Sequence, residues 1–151
     1  MKKLNNITIR HAKISDIDSI VNIWFSNFSN TRTLTNDAKR NRTFEYKDVL
    51  CNDNHYLLIS EINNKVVGFI HFFIEYNKYE TKINEENIAW IKTICVIKDS
   101  RGQDIGRELI NRSIKILRGE NIQMVYVKSQ QPEYFVKNGF NIFSNILIKI
   151  I

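Results

Sequence analysis

Proline is nearly absent, at one residue in 151, and there are only five glycines and two cysteines. So few chain breakers exclude collagen-like, low-complexity and linker-rich architectures. Cys51 and Cys95 lie far apart, with no CxxC pattern and no nearby His pair. That excludes a disulfide scaffold and a zinc site, leaves no metal expected, and points to the reduced cytoplasm. Long hydrophobic runs are missing as well. The longest nearly apolar stretch, Val66–Ile74, is far too short for a membrane span, so no membrane partner is expected. The opening Met-Lys-Lys-Leu-Asn-Asn leads into no apolar segment, so no secretory signal is expected. No internal repeat of fixed period occurs.

What remains is ordinary globular material: 43% hydrophobic and 25% charged residues. A chain of this length forms one domain, residues 1–151, with a sizeable core. The net charge is +6. A basic balance suits a phosphorylated ligand, nucleic acid or plain solubility. The basic residues are scattered, with Lys39, Arg40 and Arg42 the densest group, so nucleic acid is not the expected partner.

Period-two alternation of Ile7 and Ile9 with Thr8 and Arg10 predicts a first strand. Ser15 is expected to cap the helix that follows, whose apolar face is Ile17, Ile20, Val21, Trp24, Phe25 and Phe28. A weaker helix over about 37–50 directs Phe44, Val49 and Leu50 inward. His55–Glu61 and Val66–Ile74 form a hairpin about Asn63-Asn64, because Asn tolerates positive φ. Residues 75–87 read as polar loop, and Ile88–Ile97 as a long buried strand. A helix spans Arg101–Leu117, and a strand Ile122–Lys128. Pro132 opens a short helix that Gly139 ends, and Phe140–Phe143 with Ile146–Ile151 closes the chain as a hairpin. The order β-α-α-β-β-β-α-β-α-β-β predicts an α/β (α+β) fold: a mixed, mostly antiparallel sheet with helices on both faces. Its one strand–helix–strand unit, 88–128, is parallel with a right-handed crossover.

The stretch Ile94-Cys95-Val96-Ile97-Lys98-Asp99-Ser100-Arg101-Gly102-Gln103-Asp104-Ile105-Gly106-Arg107 carries the chemistry. A buried strand runs into a glycine-containing turn and then a helix. The first N–H groups of a helix have no partner within it, and the macrodipole makes that end an anion site. Glycine lets phosphate approach the backbone closely. A pyrophosphate cradle at 102–107 follows.

With these elements in this order, the chain resembles the GNAT superfamily of N-acetyltransferases. The family signature R/Q-x-x-G-x-G/A reads Arg101-Gly102-Gln103-Asp104-Ile105-Gly106, and Val96 stands eight residues before Asp104. Tyr134-Phe135-Val136-Lys137-Asn138-Gly139-Phe140 is similar to the family's F-Y-x-x-x-G-F segment. The resemblance spans essentially the whole chain. It implies the acyl-CoA N-acyltransferase fold and acetyl-CoA as cofactor. The acceptor would be a small-molecule or peptide amine, attacked directly; a homodimer stays open. The implied cofactor-binding set is the backbone of Ile94, Cys95 and Val96, the turn Arg101, Gly102, Gln103, Asp104, Ile105, Gly106 and Arg107, and Phe135.

The chain departs from the family pattern at two places. Asp104 stands at the first signature glycine; it is expected to face solvent and to favour the helix start. Replacing it with glycine should then cost about 1 kcal/mol. Phe135 takes the place of the family's acid tyrosine, with the hydroxyl one residue earlier on Tyr134, so Tyr134 is the candidate acid. Trp90 stands where some members carry a Glu, which leaves Glu75, Glu80, Glu85 and Glu86 as candidate bases, Glu75 foremost. These Glu outnumber Lys78 and Lys82 and give 75–87 a local negative charge that suits a cationic amine. The departures also admit an alternative function, a non-catalytic acyl-CoA-binding sensor or regulator. His11, His55 and His71 show no partner in the sequence and read as structural. Trp24, Phe25 and Phe28 read as core, and Cys95 as a small buried apolar residue.

Overall fold

A computed structural model describes residues 6–28, 35–76 and 87–151. The element order is β1 (Ile7–His11), α1 (Ile17–Phe28), α2 (Asn36–Leu50), β2 (His55–Ile62), β3 (Lys65–Glu75) and β4 (Ile88–Val96). Then follow α3 (Ile105–Gly119), β5 (Met124–Val127), α4 (Pro132–Lys137), β6 (Asn141–Phe143) and β7 (Ile146–Ile150). The seven strands form one sheet, ordered β1-β2-β3-β4-β5-β7-β6. Among the described strands, only β4–β5 is a parallel pair. The α/β architecture and the order of elements are those expected.

Strand alternation divides the core between two faces. Leu58, Ile70, Phe72, Ala89, Ile91, Val125 and Val127 meet Ile105, Leu109, Ile110, Ile114 and Leu117 of α3. Leu57, Ile59, Phe69 and Cys95 meet Ile17, Ile20, Val21 and Phe25 of α1 and Tyr46 and Val49 of α2. Because β2 and β3 are covered on both sides, their middles read as continuous apolar runs. Asn63 and Asn64 turn the β2–β3 hairpin at φ 51° and 62°. Gly139 ends α4 at φ 87°.

Four local expectations change. Ser15 does not cap α1: a 3₁₀ turn, Ile14–Asp16, precedes the helix, and Asp16 accepts from the Lys13 N–H at 2.7 Å. Arg10 donates to both Asp16 oxygens, at 2.7 and 3.0 Å, and to Glu61. That guanidinium holds the Asp16 carboxyl below the usual carboxylate range. On α2 the inward aromatic is Tyr46, 1% exposed, whereas Phe44 is 59% exposed. The two are two residues apart, so they face nearly opposite ways. Phe25 is core, but Phe28 is 41% exposed, and Arg42 lies 3.9 Å over the Trp24 ring. Finally, α3 begins at Ile105, because Gly102 (φ 80°) and Asp104 (φ 59°) are left-handed and cannot continue a helix.

His55 and His71 are each other's partners: His55 Nδ1 lies 2.9 Å from His71 Nε2. His71 is 1% exposed, under the edge of Tyr46. Burial, and then His55, Lys92 and Arg42, push its pKa down to about 3.

Candidate functional site

The site grows from a defect in the sheet. β3 and β4 keep register from Gly68↔Val96 to His71↔Thr93, and the next pair is Phe72↔Ile91. Lys92 is the extra residue of a bulge, and its ammonium turns to Glu45 of α2, 3.3 Å away. On the other side, β4 and β5 pair only at Ala89↔Val125, Trp90↔Tyr126 and Ile91↔Val127. Past Ile91, β4 therefore runs on to Val96 with β3 on one flank and no strand on the other among the described residues.

The free flank has a definite polarity. The Ile97 N–H donates to Val67 O at 2.8 Å, toward β3. Antiparallel bonding alternates every second residue, so Cys95 also faces β3, while the backbone groups of Ile94 and Val96 face the gap. Of the three backbone positions expected to meet a ligand, Ile94 and the Val96 N–H face the gap without a strand partner, while Val96 O accepts from Arg101. The Cys95 side chain is 4% exposed, and burial pushes its thiol up to about 11, which leaves it un-ionised. Arg101 closes the end of the strand: its Nε donates to Val96 O at 3.1 Å and its guanidinium reaches Asn27 Oδ1 on α1.

From Arg101 the chain turns into α3. The backbone ladder of α3 starts with the Glu108 N–H donating to Asp104 O at 3.0 Å. The N–H groups of Ile105, Gly106 and Arg107 thus have no acceptor within the helix. Gly102 is exposed at φ 80°, and Gln103 is half-buried. Asp104 is exposed, and its carboxylate makes no capping bond, so it leaves those donors uncovered. Asp104→Gly should hold the melting temperature within about 3 °C, because relief of the left-handed backbone (about 1 kcal/mol) offsets the lost helix-start charge (about 0.3–1 kcal/mol). A thermal melt checks this revision of the loss expected from sequence.

Tyr134 and Phe135 part company on α4. Phe135 is 4% exposed and packs edge-on to Phe140, their centroids 5.5 Å apart, as part of the core. The Tyr134 ring turns to α3 instead. A Cβ on Gly106 would overlap its hydroxyl and stand 3.1 Å from Cζ and 3.8 Å from Ile94 Cδ1. Burial, countered by Arg107 and aided by Asp104, raises the phenol pKa, so the hydroxyl keeps its proton at neutral pH.

Glu75 ends β3 on the α2 side of the sheet. Its Oε2 accepts from Trp90 Nε1 at 2.7 Å, and Trp90 lies against Tyr126 with centroids 5.1 Å apart. Glu75 is thus placed beside Trp90, the residue at the family's Glu position, rather than on the free edge. Glu80, Glu85, Glu86, Lys78 and Lys82 lie outside the described residues. Among the described residues, no group of three or more His, Cys, Asp or Glu converges to hold a metal. Nor is any described helix long and apolar enough to cross a membrane. Sequence reasoning missed Lys92, Asn27 and the Glu75–Trp90 bond. A lone charge inside the apolar run 88–97 was the available signal for the bulge.

Comparison with known proteins bears on the family and the fold. Residues 17–140 match the family model described as "Acetyltransferase (GNAT) family". An uncharacterized N-acetyltransferase of Methanocaldococcus jannaschii is 25% identical over 142 residues, which cover 91% of this chain and 62% of that one. The chain thus spans about three-fifths of that relative. The PaiA N-acetyltransferase of Thermoplasma acidophilum, solved with coenzyme A, superposes with a TM-score of 0.71 at 16% identity, covering 97% of this chain and 99% of that one. A predicted acetyltransferase of Clostridium acetobutylicum, solved with acetyl-CoA, gives 0.76 at 18% identity, covering 91% and 92%.

Proposed function

The chain belongs to the acetyltransferase (GNAT) family, and from that membership we propose that it moves acetyl from acetyl-CoA to a primary amine of a small molecule or peptide. The parting of β4 from β5 after Ile91 and Val127 carries the reading. The parting leaves backbone groups of Ile94 and Val96 unpaired by a strand, in line with the bare N–H groups of Ile105, Gly106 and Arg107. An amide-bearing arm ending in a pyrophosphate fits that sequence of donors and acceptors.

Bound acetyl-CoA supplies an activated thioester. Ile94 and Val96 hold the arm as a short added strand, and an N–H on this edge faces the negative charge that develops on the acetyl oxygen. The α3 N-terminus and Arg107 hold the pyrophosphate, and Arg101 keeps the end of β4 in place. An alkyl ammonium near pKa 10.4 must shed a proton before it attacks; Glu75, fixed by Trp90, receives it through water. Positioning supplies much of the rate, because no covalent link to the protein forms.

Acetyl-CoA at a hundred times its dissociation constant adds about 2.7 kcal/mol. In a domain of this size the melting temperature should rise by about 5–10 °C. No rise, together with no heat of binding, contradicts the proposal. Phe135, core where the family's acid tyrosine stands, favours a second reading: an acyl-CoA-binding sensor, which would show this shift without transferring acetyl to any amine.

A further inference from the structure

The position of Tyr134 points to a role other than the one its neighbourhood in sequence suggests. In the chain it adjoins the family's acid position. In space its hydroxyl lies against Cα of Gly106, the second residue of α3. That places it beside the Gly106 N–H, one of three donors left without an acceptor in the helix. The ring stands edge-on to Phe135, centroids 5.3 Å apart, and packs with the α3-side core, which fixes its direction. The hydroxyl keeps its proton, so it has a hydrogen to donate. No hydrogen bond to another described residue engages it. Arg107 and Asp104 are the charged groups that act on it, and Asp104 is exposed and makes no capping bond.

We infer that Tyr134 is a binding residue for the pyrophosphate of CoA, its hydroxyl donating to the same phosphate that the Gly106 N–H holds, and that no protein group protonates the departing thiolate. The inference rests on acetyl-CoA being the ligand. A phosphate oxygen at hydrogen-bonding distance from the Gly106 N–H is within reach of this hydroxyl. The thioester sulfur is separated from that phosphate by the whole pantetheine arm, so one hydroxyl does not serve both. Phe135 has no proton to give. In the reaction the amine nitrogen bonds to the acetyl carbon as the carbon–sulfur bond breaks. The electron pair leaves on sulfur; the ammonium gives one proton through water to Glu75 before attack, and the second proton that nitrogen sheds as the amide forms passes to solvent water. A thiol near pKa 8.5 leaves as thiolate at modest cost, which makes this balance feasible without an acid.

Calorimetry on the wild type and Tyr134→Phe separates the roles. Loss of one hydrogen bond to a charged oxygen should weaken acetyl-CoA binding about tenfold. S-acetyl-pantetheine, which lacks the pyrophosphate, should bind both proteins equally. At saturating acetyl-CoA, turnover of an accepted amine should stay within about twofold, against the 10²–10⁴ attributed to a general acid. Equal acetyl-CoA affinity in the two proteins overturns the inference, as does a tenfold or greater fall in saturated turnover. Failure of the wild type itself to bind acetyl-CoA would instead overturn the proposed function.

Discussion

Gly106→Glu should lower acetyl-CoA affinity by a hundredfold or more. The substitution places a carboxylate where the helix N-terminus offers its barest donors, and like charges at that range repel the phosphates. A hundredfold is about 2.7 kcal/mol, within what a misplaced charge and lost donors remove together. Bulk acts as well, because even a methyl at Gly106 overlaps the Tyr134 hydroxyl. The family signature admits alanine here, but in this chain the Tyr134 side chain must shift to make room for it. Gly106→Ala should therefore cost about 1–3 kcal/mol by overpacking. Most of that cost should vanish in a Tyr134→Ala background. The pair of melts separates crowding from charge. If Gly106→Glu added to Tyr134→Ala leaves acetyl-CoA affinity unchanged from that parent, the phosphate site lies elsewhere.

Acid should destabilise the fold well before its carboxylates protonate. His71 has an ordinary pKa near 6.5 when unfolded and one pushed down to about 3 when folded. Between those values the unfolded chain binds a proton that the folded chain refuses, so stability falls as pH falls. The slope is about 1.4 kcal/mol per pH unit, so roughly 2–3 kcal/mol is lost between pH 6.5 and 4.5. His55, whose pKa burial and Lys92 also lower, acts in the same direction. The carboxyl of Asp16, held down by Arg10, loses its contribution only below its ordinary 3.8, outside that window. Denaturant melts from pH 7 to 4.5 measure the slope. His71→Phe should flatten it, and an unchanged slope would place the acid sensitivity elsewhere.

The order of elements was legible because strands and helices differ in apolar period, and here the two periods alternate cleanly. The start of α3 was misplaced because Arg101-Gly102-Gln103-Asp104 has no apolar residue to mark a period. The sequence points to Phe44 where Tyr46 turns in, because α2 is weakly amphipathic and only packing on Phe69 and His71 decides which ring is buried. The His55–His71 contact was within reach of the sequence: a turn at Asn63-Asn64 brings the two to neighbouring rows of one hairpin. The parting of β4 and β5 was not, since it depends on a bulge seen only in the register of three strands. Nor was the contact of Tyr134 with Gly106, which joins elements far apart in the chain. The cradle itself was visible as a strand, a glycine turn and a helix start; what lies against it was not.

The central claim is transfer of acetyl to an amine. It is tested most directly by incubating the protein with acetyl-CoA and a panel of primary amines, including alkyl diamines, aminosugars and peptides with free N-termini. Thiol release and the mass of each amine are then followed. The account predicts free thiol and an amine heavier by one acetyl group in equal amounts for at least one member, with both signals lost in Gly106→Glu. A protein that binds acetyl-CoA yet releases no thiol with any amine would contradict it.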